Sequence, residues 1–199
     1  MISGGLEKWE SLSLLVIGLD GAGKTTLVKR LNNIDEGQEY YASTSFLNIE
    51  KFTLQNKNRP CVIYDLSGQG RYRKSWRDFY AEADGIFFIV DSTDTERLSI
   101  VQEMLIQISE DPILEGSHIP FLIIFNKINH PDALSSKEIV NFIEFNDIKF
   151  RNQTLTWGVE DADFATGYKV TECLDFFESN FRIITPEEEF LMREKEAQI

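Results

Sequence analysis

Residues 18–26 read GLDGAGKTT. They follow a short apolar run, LSLLVIGL (12–19), and lead into KTTLVKRLNN, where Leu27, Val28 and Leu31 fall on one side of a helix. The stretch from Gly18 to Thr25 fits G-x-x-x-x-G-K-[ST]. A strand must end in such a loop and a helix must begin there. Gly18, Gly21 and Gly23 let the backbone wrap closely around phosphate oxygens, while consecutive N–H groups and the helix N-terminus point inward. Lys24 would bridge the outer phosphates, and the Thr25 hydroxyl would hold Mg2+. The bland alternative, a glycine turn joining strand to helix, is outweighed by the strand–loop–helix context.

The rest of the chain continues the alternation. FLNIEKFTLQ (46–55) alternates as a half-exposed strand does, NKNR is a turn, and PCVIYDL (60–66) is the returning strand of a hairpin. GIFFIVDS (85–92) and IPFLIIFNK (119–127) are continuous apolar runs, as expected of central strands covered on both faces. ERLSIVQEMLIQISE (96–110) and SSKEIVNFIEF (135–145) read as amphipathic helices, the second capped by Ser135 or Ser136. TLTWGV (154–159) is the last strand and VTECLDFFESNF (170–181) the last helix. This order predicts an α/β fold: a mostly parallel six-stranded sheet with helices on both faces and ligands at the carboxyl ends of its strands. GLDGAGKTT, DLSGQG and FNKIN each directly follow a strand, so they belong on one edge.

A chain of 199 residues with a hydrophobic fraction of 42% suits one globular domain. The formal net charge of −13 argues against nucleic acid and against electrostatic adhesion to anionic membranes. Cys61 and Cys173 lie far apart and read as reduced core thiols. No apolar run approaches the ~20 residues of a membrane span, which predicts a soluble, cytoplasmic protein. Ile2 stands where N-myristoylation needs glycine. The tail TPEEEFLMREKEAQI (185–199) is acidic and reads as a solvated end or a short polar helix.

YDLSGQ (64–69) adds a second phosphate element. Asp65 ends a strand, where a carboxylate can hold Mg2+. Gly68 can bring its N–H to a γ-phosphate, and Gln69 can orient an attacking water. With GLDGAGKTT, DLSGQGRYRKSW and NK together, the chain resembles the Arf/Arl branch of small GTPases, a Ras-like subgroup of P-loop NTPases. Trp76, seven residues after Gln69, points to that branch, and IEKF (49–52) with SGQGRYR (67–73) is similar to its ciliary, Bardet–Biedl-associated members. The resemblance covers roughly 12–183 and is weakest from 128 to 168.

The resemblance implies a GTPase domain over 1–184, with 1–11 as its N-terminal segment, that switches between GTP and GDP with Mg2+. It implies nucleotide contacts from Gly18, Asp20, Gly21, Ala22, Gly23, Lys24, Thr25, Thr26, Gly68, Asn126, Lys127 and position 129. It matches Thr44 to the threonine that completes the Mg2+ shell beside Thr25 and Asp65. The family pattern P-T-x-G-F appears here as Ser43-Thr44-Ser45-Phe46-Leu47, with Phe46 in the glycine's place. The family implies a 46–66 hairpin that shifts register between states, protein effectors gripping 44–52 and 66–80, an exchange factor and an activating protein. Arg71, Tyr72, Arg73, Trp76, Phe79 and Tyr80 are of the types enriched in binding hot spots, with Trp76 the expected exposed anchor. Leu6, Trp9 and Leu12 make a short N-terminal apolar stripe, from which weak or partner-assisted membrane contact is expected.

FNKINHPD (125–132) departs from the base-reading motif of the family. Asn126 and Lys127 are in place, but Asn129 stands where an aspartate is expected. A carboxylate accepts from both guanine donors, N1–H and the 2-amino group, whereas an amide offers one acceptor and one donor. The mismatch costs roughly 1–3 kcal/mol, on the order of 10- to 100-fold in affinity. Xanthine, with a carbonyl at C2, would satisfy the amide donor. Asp132 could substitute only in a rebuilt loop, beyond Pro131. A Ser-Ala-Lys-like turn should give a backbone N–H to guanine O6; here EDADFATG (160–167) stands in its place, with Ala162-Asp163-Phe164 as the expected register. Two readings stay open: a GTPase switch in intracellular, ciliary trafficking, or a pseudo-GTPase scaffold with weak or altered nucleotide binding. A P-loop kinase is disfavoured, since nothing resembles an acceptor site or a lid.

Overall fold

The computed structural model describes residues 11–31, 44–54 and 59–181. Its sheet has six strands in the order β2-β3-β1-β4-β5-β6. These are β1 (Leu12–Gly18), β2 (Leu47–Leu54), β3 (Arg59–Leu66), β4 (Gly85–Asp91), β5 (Pro120–Asn126) and β6 (Thr156–Asp161). Only β2 and β3 run antiparallel; every other neighbouring pair is parallel. The predicted fold class is therefore the observed one, and the hairpin at 46–66 is β2–β3. The NKNR turn lies outside the described residues except for Arg59, as do residues 1–10 and the acidic tail.

The continuous apolar runs feed two cores. Along β4 and β5, Ile86, Phe88, Val90, Phe121, Ile123 and Phe125 face one layer with Trp76 and α2 (Leu98–Ser109). Phe87, Ile89, Leu122 and Ile124 face the other, with α1 (Lys24–Leu31) and α5 (Val170–Asn180). Successive side chains of a strand point to opposite faces, so only an unbroken apolar run can bury both.

The helix read over 135–145 ends early, and a second helix that the sequence reading did not place follows it. α3 (Ser136–Phe142) starts at a capping box: Glu138 N–H donates to Ser135 Oγ (3.4 Å) and Ser135 N–H to Glu138 Oε2 (2.9 Å). It stops because Glu144 is left-handed (φ 53°), and α4 (Phe145–Arg151) follows. Ile139 and Ile143 keep helical spacing, but the next buried residues, Phe145 and Ile148, fall on a new phase. The last strand also begins two residues late. Asn152 Oδ1 accepts from Thr154 N–H (3.1 Å), and that turn occupies the expected start. Leu12, placed on an amphipathic N-terminal stripe by sequence, is instead the buried first residue of β1.

Between β3 and β4 lies a ten-residue 3₁₀ helix, Arg73–Glu82. Runs this long are uncommon, because the tighter coil has poorer hydrogen-bond geometry. Trp76 fastens it. The indole is only 2% exposed, donates from Nε1 to Ser67 O (3.0 Å) and meets Phe88 edge-on at 6.2 Å. The expectation of an exposed anchor at Trp76 is thus overturned: the 3₁₀ helix turns this large side chain onto the sheet face, where it packs beside Phe88. Trp76→Ala is expected to cost about 3–5 kcal/mol of stability, read as a lowered urea midpoint.

Candidate functional site

The chemistry-bearing loops converge at the carboxyl ends of β1, β3 and β5. Lys24, buried at the start of α1, donates from Nζ to Gly18 O (3.0 Å) and Leu19 O (2.9 Å). The loop thus closes on its own lysine. Gly23 requires its lack of a side chain: its φ is +98°, and a Cβ there would stand 2.3 Å from Asn126 Nδ2. Gly68 also admits none, since a Cβ would stand 2.2 Å from Asp20 N. The backbone after β3 is therefore pressed directly onto the Gly18–Asp20 stretch.

Three oxygens gather beside Lys24. Thr25 Oγ1 donates to Asp65 Oδ2 (2.6 Å) and lies 2.9 Å from Thr44 Oγ1, which donates to Asp65 Oδ2 at 3.3 Å. Among the described residues, Asp65 Oδ1 is buried with no hydrogen-bond partner. An octahedron with Mg–O bonds of about 2.1 Å has edges of about 3.0 Å, close to the Thr25–Thr44 oxygen spacing of 2.9 Å. A hard divalent cation would also answer the orphaned carboxylate oxygen. The donor set fits Mg2+. Burial raises the Asp65 carboxyl above its ordinary pKa, opposed by the Thr25 hydrogen bond and the Lys24 charge. Burial likewise lowers the Lys24 ammonium to about 8, against the pull of Asp65 and Asp20.

Asp20 is held from outside the loop. Arg97 donates from Nη1 to Asp20 Oδ1 (3.0 Å) and from Nη2 to Asp20 O (3.0 Å). Arg73 donates from Nε to Gly68 O (2.7 Å) and reaches Asp20 Oδ1 at 3.5 Å. Sequence reasoning missed this clasp, because its members are 77 and 53 residues from Asp20. Gln69 follows Gly68 at the rim, half-buried, and Thr26 follows Thr25 on α1.

The second end of the site centres on Asn126. Its Nδ2 donates to Ala22 O (2.8 Å) and its Oδ1 accepts from Phe164 N–H (3.0 Å), so one buried amide ties the phosphate loop to the 160–167 segment. Lys127 is left-handed (φ 64°), a strained conformation of the kind that collects at functional sites, and its ammonium pairs with Asp91. Asn129 is exposed in the next turn and makes no hydrogen bond among the described residues. Asp132 is no substitute: it is exposed and lies 3.7 Å from His130.

The expected register of the base-contacting turn is overturned. Ala162 N–H is spent on Phe125 O (2.8 Å), Asp163 N–H on Tyr168 O (3.1 Å) and Phe164 N–H on Asn126 Oδ1 (3.0 Å). Ala162 still belongs to the sheet edge, so the loop begins later than the acidic run suggested. The next residue, Ala165, is exposed, and its N–H is bonded to nothing among the described residues. The order small residue–threonine–glycine at Ala165-Thr166-Gly167 stands three positions on from the expected Ala162-Asp163-Phe164.

A model of the ADP-ribosylation factor family matches residues 2–181. The chain belongs to that family. It is 31% identical over 178 residues to ADP-ribosylation factor-like protein 6 of Danio rerio, covering 89% of this chain and 92% of the relative. It is 34% identical to ADP-ribosylation factor-like protein 1 of Saccharomyces cerevisiae, covering 84% and 86%. Among solved structures, the Arl6 BBS3 small GTPase of Trypanosoma brucei, with bound nucleotide analogue GppNp, superposes with a TM-score of 0.73 at 22% identity, covering 85% of this chain and 96% of that one. For this Arf-family chain, the surface between β2 and the 3₁₀ helix is aromatic but does not use Trp76. Phe46 (43% exposed) meets Tyr72 edge-on at 5.6 Å, the Arg71 guanidinium lies 4.6 Å over the Tyr72 ring, and Ile49 is 50% exposed alongside β2. Phe46 takes no left-handed backbone step, so its side chain costs the loop no strain and adds apolar surface instead. No helix among the described residues is long and apolar enough to cross a membrane.

Proposed function

We infer that this Arf-family protein is a GTP/GDP switch: it binds purine nucleotide with Mg2+, hydrolyses the triphosphate slowly and recruits an adaptor or coat in intracellular trafficking. The observation that carries the reading is the meeting of Thr44 with Thr25 and Asp65, which joins the segment before β2 to the phosphate loop. Lys24 would neutralise the outer phosphates, and the N–H groups of 20–25 and Gly68 would line them. Gln69 would orient the attacking water. Mg2+, held by Thr25, Thr44 and Asp65 directly or through water, would neutralise charge on the leaving phosphates. Asn126 and Lys127 would support the base, and Ala165 N–H would donate to its 6-carbonyl.

Loss of the γ-phosphate would release Thr44. A one-residue slip of β2–β3 against β1 would turn every side chain to the wrong face, so the hairpin must move by two residues, about 6.6 Å. The exposed Phe46, Ile49 and Arg71 and the half-buried Tyr72 would then be reshaped, which supports an effector face over 44–52 and 66–80. Likeness to the factor-like protein 6 relative supports a ciliary setting, with an exchange factor, an activating protein and weak or partner-assisted membrane contact through 1–11. Residues 185–199 would be an acidic tail outside the domain. Asn129 favours one rival, a scaffold that keeps the fold and has relaxed its nucleotide selectivity.

Isothermal titration with GTP, XTP and ATP in the presence of Mg2+ tests the reading; no binding of any at high micromolar concentration would overturn it. Binding should also depend on pH. A bound triphosphate holds Lys24 charged, while the free site loses its proton near pH 8. Complex formation therefore takes up a proton above pH 8, and affinity falls as pH rises from 8 to 9.5. Titrations at these pH values in buffers of different ionisation enthalpy would show the uptake.

A further inference from the structure

Arg30 lies on the last turn of α1, one helix face away from Lys24 and Thr25, and no phosphate chemistry calls for it. Its Nε donates to Phe164 O (3.0 Å) and its Nη2 to Ala165 O (2.6 Å), across 134 and 135 residues of sequence. A guanidinium is a rigid planar fork, and here it spans two successive carbonyls. We propose that Arg30 is a positioning residue for base recognition, fixing the Ala165 N–H in the direction from which it can donate to a purine 6-carbonyl. The inference rests on the nucleotide-binding reading above.

The argument is one of peptide geometry. Phe164 C=O and Ala165 N–H belong to the same peptide plane, which is trans and planar, so the two groups point in opposite directions. Holding the carbonyl on Arg30 therefore aims the N–H away from α1. The flanking groups remove the other freedoms. Phe164 is fully buried and its N–H is fixed by Asn126 Oδ1. Asp163 and Tyr168 exchange two backbone hydrogen bonds (3.1 and 3.0 Å), and Asp163 Oδ1 accepts from Thr166 N–H (3.2 Å). The N–H groups of residues 163, 164, 166 and 168 are all occupied within the loop or by Asn126. Ala165 and Gly167 keep unspent N–H groups among the described residues, and that of Ala165 is the one sharing a peptide with the carbonyl Arg30 holds, one peptide from the N–H that Asn126 fixes.

This donor suits guanine or xanthine, which carry an acceptor at C6, and meets a 6-amino donor in adenine. With Asn129 offering one acceptor rather than two, the 6-position contact carries a larger share of the discrimination. Arg30 would then set how well this chain tells 6-oxo from 6-amino purines.

The test compares GTP with 6-thio-GTP, which keeps N1–H and the 2-amino group but replaces O6 by a weaker acceptor. The wild-type chain should prefer GTP. Arg30→Met should weaken GTP about tenfold and 6-thio-GTP less than about threefold, so that the preference collapses. Arg30→Lys, which keeps a donor but not the fork, should recover part of it. Circular dichroism melts establish that each variant is folded; should the methionine variant not fold, the lysine variant against wild type gives the same comparison. An unchanged GTP to 6-thio-GTP ratio in folded variants, with both affinities lowered equally or neither lowered, would overturn the role of Arg30 while leaving nucleotide binding intact. Failure of the wild-type chain to bind either nucleotide would overturn the nucleotide reading and the inference with it.

Discussion

Lys24→Ala is expected to weaken triphosphate binding by roughly 100-fold or more while leaving the fold in place. In the free protein Lys24 is buried and, among the described residues, bonded only to Gly18 O and Leu19 O, with its ammonium pulled down to about 8 by burial. Removing it frees two carbonyls that face the loop mouth, where water can reach them, and relieves a desolvated charge. Stability should change little. The bound state is different: phosphate oxygens would face a dry cradle without their main counter-charge, and leaving one member of a buried charge pair alone costs about 2–5 kcal/mol. Titration with a non-hydrolysable GTP analogue, alongside a thermal melt, measures both halves. The variant also separates the switch from the scaffold. A switch loses analogue-dependent partner capture with Lys24. A folded Lys24→Ala protein that captures the same partners as wild type would speak for a scaffold.

The second large effect runs in the opposite direction. Asn129→Asp should raise guanine affinity on the order of 10- to 100-fold, because the carboxylate accepts from both N1–H and the 2-amino group where the amide leaves one donor facing another. The same change should lower xanthine affinity, since the amide donor that matches the C2 carbonyl is lost. Asn129 is exposed, with no hydrogen bond among the described residues, so the substitution disturbs no internal network and its stability effect should be within about 0.5 kcal/mol. The measurement is the ratio of GTP to XTP dissociation constants in the two proteins. A ratio that does not move would mean that position 129 does not face the base.

These two sites mark where the sequence was readable and where it was not. At Lys24 the chemistry is contiguous: eight residues between a strand and a helix specify their own backbone path, and the structure closes that path as expected. Asp65, Gly68 and Thr44 were legible for a similar reason, each lying at or beside the end of a strand whose apolar pattern was plain. Thr44 needed the hairpin register as well, and β2 pairs with β3 from Leu47↔Leu66, the pairing that delivers it. At the other end, the 160–167 loop was read as starting too early. EDAD looks like the loop, but Ala162 continues the β5–β6 ladder, and only the occupied N–H groups of 162–164 reveal that the free donor comes later.

Trp76 shows a second kind of limit. An aromatic beside arginines fits a binding surface and a core plug equally well, and the choice depends on which face of the 3₁₀ helix meets the sheet. With Trp76 turned to Phe88 and Ser67, the exposed aromatic surface passes to Phe46, packed on the half-buried Tyr72.

The sequence by itself determined the alternating fold, the glycine-rich turn at 18–25 and the altered letter at 129, because each is written in neighbouring residues and governed by local backbone chemistry. Only the tertiary structure decided which N–H groups of 162–167 are spent, that Arg30 bonds the Phe164 and Ala165 carbonyls, that Arg73 and Arg97 clasp Asp20, and that Trp76 is buried. Each of those is a contact between distant parts of the chain, and a hydrogen-bond donor is free or spent only once its partner's position in space is known.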